Sequence, residues 1–97
     1  MKPFRWNHDK NDELKVERGI SFEEVVLAIE VGGLLDVVRH TNSGKYPNQF
    51  VFIVALDGYV LLTVFVEEPE YYFLETVIPS RNATRDYLLR RNPDETP

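Results

Sequence analysis

Seven side chains carry what chemistry this chain has to offer: His8, Arg18, Arg39, His40, Lys45, Arg81 and Arg85. Taken singly, each is of a kind met on any protein surface. Arg39 and His40 stand out because they are adjacent, at the end of an apolar run and beside a long polar segment, where functional residues concentrate. An imidazole exchanges protons near neutral pH and a guanidinium holds a phosphate bidentately. Together they suit metal-free RNA cleavage, in which a base removes the 2′-hydroxyl proton, an acid protonates the 5′-oxygen and cations stabilise the phosphorane. A metal site is not expected. The chain has two histidines and no cysteine, and neither histidine falls in a ligand spacing. There is no phosphate-binding glycine loop, dinucleotide fingerprint or nucleophile elbow, so no cofactor is expected. Glu75, inside an apolar run, is either a functional carboxylate or one residue of a solvated strand face.

These residues must be positioned by one small domain. The 97 residues are 43% hydrophobic, 12% aromatic and 28% charged, enough for a packed core near the lower size limit. A net charge of −5 opposes general nucleic-acid binding. The distribution matters more. Between Tyr46 and Ser80 there are five acids and no lysine or arginine, so any basic spot is built from the two ends of the chain. No signal peptide opens the sequence and no apolar run is long enough to cross a bilayer, so a soluble cytoplasmic protein is expected.

Phe4-Arg5-Trp6 reads as a short extended lead, and Asn7 is a predicted N-cap for a helix over 8–18, which Gly19 stops. Ser21-Phe22-Glu23-Glu24 is a capping box, and Phe22, Val25, Val26 and Ile29 recur at helical spacing until Gly32-Gly33 ends the helix. Strands follow over 34–40, 50–56, 59–66 and 71–78. The middle two turn at Asp57-Gly58, which places Leu56 opposite Tyr59 and Phe52 opposite Thr63. The middle strands are nearly continuously apolar, so either both faces are covered or one awaits a partner. Ser80 or Asn82 caps a last helix to about Arg90, Asn92-Pro93 ends it, and 93–97 is a tail. The expected class is α+β: two N-terminal helices, a four-stranded antiparallel sheet and a C-terminal helix, one domain over 1–92.

Phe4-Arg5-Trp6-Asn7, Lys10-Asn11 and Gly19-Ile20-Ser21-Phe22-Glu23-Glu24-Val25 resemble the F-x-W-[DN]-x-x-K-N and K-H-G-[IV]-S-F-E-E-A stretches that open BrnT-family toxins. Ile78-Pro79-Ser80-Arg81-Asn82-Ala83-Thr84 is similar to the family's closing I-S-A-R-x-A-T. Glu17-Arg18 stands where the family has Lys-His, and Thr76 where it often has arginine. The resemblance implies a RelE-like fold, a metal-independent endoribonuclease, and a small antitoxin, often of ribbon-helix-helix type, that neutralises it and binds operator DNA. It implies Arg81, His40 and Arg18 as catalytic candidates, with Arg81 on phosphate at the start of the last helix. Arg39, Lys45, Arg85 and His8 are then RNA-binding, with His8 an alternative proton-transfer group. A non-catalytic interaction module on the same fold is the rival reading. Excess apolar strand surface predicts a complex with an antitoxin or a homodimer, with Tyr71, Tyr72 and Phe73 as the exposed edge.

Overall fold

The computed structural model describes residues 1–40, 42 and 44–89. The expected end of the last helix at Asn92-Pro93 and the 93–97 tail lie outside the described residues. Strand β1 (Phe4–Trp6) leads into α1 (His8–Arg18) and α2 (Phe22–Ala28), whose end widens into a turn over Ile29–Gly33. Strands β2 (Leu34–Arg39), β3 (Gln49–Leu56), β4 (Tyr59–Glu67) and β5 (Tyr72–Pro79) follow, then α3 (Arg81–Thr84), continued by a wide turn over Arg85–Leu89. The class is α+β. The sheet, however, has five strands in the order β1-β5-β4-β3-β2, and it is mixed, because β1 runs parallel to β5.

Local chemistry accounts for most boundaries. The Asn7 side chain accepts from the Lys10 amide at 3.0 Å, and Gly19 closes α1 in the left-handed conformation at φ 65. Both halves of the Ser21/Glu24 capping box form. Asp57 and Gly58 take φ of 52 and 77, the paired positive values of a tight hairpin turn, and Leu56↔Tyr59 and Phe52↔Thr63 pair across it. Gly32 and Gly33 play different parts. Gly32 is the left-handed terminator at φ 98, whereas a Cβ on Gly33 would lie 2.7 Å from both the Ala28 and the Ala55 carbonyl oxygens.

α1 and α2 cover one face of the sheet. Leu14, Phe22, Val25, Ala28 and Ile29 bury against Phe52, Val54, Leu61, Phe65, Leu74 and Val77. Phe52 and Phe65 stack at 3.8 Å between ring centroids, with Tyr72 edge-on to both at 5.3 Å. α3 lies against the opposite face: the Thr84 hydroxyl accepts from the Val60 amide at 2.9 Å and donates to the Ser80 carbonyl at 2.7 Å.

The outer edge of the sheet is not where the sequence points. β5 is flanked by β1 and β4, so Tyr71, Tyr72 and Phe73 are half-buried within the sheet. The sheet ends on β1 and β2, and β2 is the end that exposes apolar side chains, with Leu35, Val37 and Val38 38%, 46% and 37% exposed. Phe4-Arg5-Trp6 reads locally as an extended lead, but its pairing with a segment far along the chain leaves no local trace, and covering β5 moved the exposed edge to the other side.

Thr63 is fully buried, and its hydroxyl is without a hydrogen-bond partner among the described residues. Thr63→Val keeps the shape and removes the unpaired polar group, so it is expected to stabilise the domain by about 1 kcal/mol. Thermal melting should then rise by roughly 4–8 °C; a fall would mean that the hydroxyl is satisfied in solution.

Candidate functional site

The polar loop after β2 folds back on the end of that strand. The His40 amide donates to the Gln49 carbonyl at 3.0 Å, keeping the chain on β3. Asn42 organises the turn: its carbonyl accepts from the Lys45 and Tyr46 amides, its side-chain oxygen accepts from Lys45, and its own amide donates to His40 Nδ1 at 3.0 Å. With Nδ1 accepting, the neutral ring carries its proton on Nε2. The His40 ring sits 4.8 Å from the Tyr46 ring, and Lys45 Nζ lies 5.4 Å from the same ring's centre. One residue back, the Arg39 guanidinium stands 5.3 Å from the centre of Phe50, which stacks on Phe65 at 5.7 Å.

Two cation–aromatic groups thus lie at this end of the sheet, Arg39 against Phe50 and, beyond the strand, His40 and Lys45 against Tyr46; Arg39 and His40, consecutive along the ladder, project to opposite faces. Cations that hold phosphates beside rings on which bases stack are what single-stranded nucleic acid requires. Tyr46, Phe50 and the organising Asn42 were not singled out from the sequence, although the Lys45-Tyr46 adjacency was a signal.

Arg81 is not part of this corner. Phe50, opposite Arg39, pairs with Phe65, whereas Pro79, two residues before Arg81, pairs with Leu61, four residues away along β4. That is roughly 13 Å along the strands, and the three interstrand steps between β2 and β5 add about 14 Å across the sheet. One phosphate cannot be held by both. The last helix starts at the opposite end because β5 runs antiparallel to β4 and leaves the sheet beside the Asp57-Gly58 turn. There a cleft of about 250 Å³ is lined by Gly19, Ile20, Glu24, Asp57, Tyr59 and Pro79 among others, with Arg18 one residue before Gly19 and Arg81 two residues after Pro79 along the chain. The Glu24 and Asp57 carboxylates in this cleft disfavour an anion. Arg85 pairs with its neighbour Asp86 at 3.1 Å. His8 is exposed at the start of α1, apart from both groups. The seven candidates are therefore divided: Arg39, His40 and Lys45 at one end, Arg18, Arg81 and Arg85 toward the other, and His8 alone.

Glu75 has a bonding role, accepting from the Gln49 side chain at 3.0 Å, beside an irregularity in the β4–β5 pairing. Among the described residues no group of three or more His, Cys, Asp or Glu is placed to hold a metal, and no helix is long and apolar enough to cross a membrane.

Most motif residues serve the fold. Trp6 packs on Phe22 at 5.7 Å. Asn11 is buried, its side-chain oxygen accepting from the Phe22 amide at 2.8 Å and its nitrogen donating to Glu23 at 2.6 Å, so it ties α1 to the first turn of α2. Ser80 caps α3 by accepting from the Ala83 amide at 3.0 Å. Of the closing motif's polar residues, Arg81 and Asn82 are exposed with no side-chain hydrogen bond among the described residues, and Ile78 is an exposed apolar one.

The Asn11 bond, followed by Glu23's own backbone amide, holds the Glu23 carboxyl below its ordinary 4.5. A lowered folded value means that its contribution is complete above about pH 4.5 and is lost as pH falls through the folded value. Glu23→Gln should therefore melt below wild type at pH 7, the two curves converging toward pH 3. A gap that persists unchanged at pH 3 would contradict this linkage.

Compared with protein-family models and with curated proteins, the chain matches none.

Proposed function

We propose that this chain is the toxin component of a type II toxin–antitoxin pair, acting on single-stranded RNA in the cytoplasm and held in check by a small partner protein. The observation that carries this reading is the end of β2, where Arg39 lies against Phe50 and His40 and Lys45 lie against Tyr46. Arg39 and Lys45 supply positive charge to the backbone phosphates, the Tyr46 ring stacks on a base, and the neutral His40 ring donates a hydrogen bond from Nε2 to a phosphate oxygen as charge builds on the phosphorane. The motif resemblance supports the same class, and the integration of its residues around Trp6, Asn11 and Phe22 supports a common architecture.

A specific observation also favours the non-catalytic interaction module: Arg81 and His40 lie at opposite ends of the sheet, so the cations are split. The readings part in a cell. Under the toxin reading, induced expression arrests growth and degrades bulk RNA, and co-expression of a small adjacent-gene protein restores both. Normal growth with intact RNA and abundant folded protein would leave the interaction module standing.

A further inference from the structure

The β2 edge is apolar and incompletely blocked. Because His40 and its alternate neighbours bond to β3, the backbone groups of Val37 and Arg39 point away from the sheet. An edge of this kind invites another strand. Among the described residues one side chain guards it: Asp36 Oδ1 accepts from the outward Val37 amide at 2.8 Å, while its Oδ2 accepts from the Tyr87 hydroxyl at 2.9 Å. That second bond holds the end of the C-terminal helical segment beside the edge, with Leu88 and Leu89 38% and 68% exposed.

The edge is complementary to itself. Place two copies of β2 antiparallel about a two-fold axis through Val38. Val37 then faces the other copy's Arg39, and both residues have outward amides and carbonyls, giving a hydrogen-bonded pair on each side of the axis. Val38 meets Val38 in the close, non-hydrogen-bonded position. Asp36 falls opposite His40, whose Nδ1 is taken by the Asn42 amide and whose Nε2 is the nitrogen left to donate, so an acid meets an imidazole twice. Shifting the register by two residues one way sets Arg39 against Arg39, and the other way sets Asp36 against Val38 with no charge partner. Only the Val38-centred register matches hydrogen bonds and charges together.

We propose that two copies of this chain join through β2 in that register, making a continuous ten-stranded sheet, with Asp36 leaving the Val37 amide for the partner copy's imidazole. A strand from a different protein would have no reason to supply the matching acid and imidazole at this spacing. The pairing stands independently of the RNA reading. It does cover the Arg39–His40 corner, so the copy that binds RNA is the monomer.

The chain has no cysteine, which gives a clean test. In Val38→Cys, the new thiol would sit across the axis from its own copy at a separation a disulfide spans. Mild oxidation should convert most of this variant to a covalent dimer, while Val31→Cys, at a more exposed site away from β2, should cross-link at least tenfold more slowly. Sedimentation of wild type at high micromolar concentration should give twice the 11.3 kDa chain mass. Val37→Pro removes only an outward amide, which an edge strand tolerates, and should return the protein to monomer with its circular dichroism unchanged. Wild type that sediments as a monomer, or Val38→Cys that cross-links no faster than Val31→Cys, overturns the proposal.

Discussion

Gly33→Ala is expected to destabilise the domain by about 3 kcal/mol, the upper range for forcing one extra methyl into a packed site. The added carbon would approach two carbonyl oxygens, of Ala28 at the end of α2 and of Ala55 on β3, each at 2.7 Å. Neither is a side chain that can turn aside; moving one breaks the helix end, and moving the other bends the central strand pair. A shift of this size should lower the melting temperature of a domain this small by roughly 12–24 °C. Gly32→Asn is the contrast. Gly32 needs only a positive φ, which asparagine tolerates, and nothing lies within 4 Å of a Cβ there. It should cost less than about 1 kcal/mol. Denaturant midpoints for the two variants check this, and equal losses would mean that Gly33 is held for its backbone angle rather than for space.

The same pair of glycines marks how far the sequence could be read. A stop at Gly32-Gly33 is a local statement about backbone freedom, and it is right for Gly32. That Gly33 is wedged between α2 and β3 depends on a contact 22 residues away and leaves no local trace. The capping box at Ser21, the cap at Asn7 and the hairpin at Asp57-Gly58 were legible for the converse reason, since all their partners lie within four residues. Strand β1 was legible as an extended Phe4-Arg5-Trp6 lead but not as a fifth strand of the sheet, because its sheet partner is the distant β5. Asn11 sits within a motif, yet its bridge to Phe22 and Glu23 becomes visible only once two helices are placed side by side.

The candidate site divides along the same line. Arg39 and His40 were marked by adjacency at a strand end, and Lys45 by its place in the loop. That Arg81 lies at the far end of the sheet follows from strand direction. Residues contributed by β2 and by the exit of β5 share an end only if those strands finish on the same side, and they do not.

His40→Asn is the second variant with a large expected effect. Asparagine retains an acceptor near the position of Nδ1, so the Asn42 amide keeps a partner and the loop its shape. What is lost is the Nε2 proton. If that N–H steadies the phosphorane, cleavage should fall by roughly a hundredfold or more, the usual loss for one oxyanion-stabilising donor. RNA affinity should change far less. A variant that cuts as well as wild type would remove His40 from the reaction.

The central claim is that RNA is held at the Arg39–Lys45 corner and not at the Arg81 end. It is tested most directly by fluorescence anisotropy of a labelled single-stranded RNA in EDTA, titrated with wild type, Arg39→Ala, Tyr46→Ala and Arg81→Ala. Tyr46→Ala should weaken binding by about 1–3 kcal/mol, on the order of 5- to 150-fold, as expected for loss of one stacked base. Arg39→Ala should weaken it comparably and make the salt dependence shallower by about one phosphate contact. Arg81→Ala should bind within about twofold of wild type, since the two ends of the sheet are too far apart to share a phosphate. Undiminished binding by Arg39→Ala and Tyr46→Ala, with the loss confined to Arg81→Ala, would contradict the account.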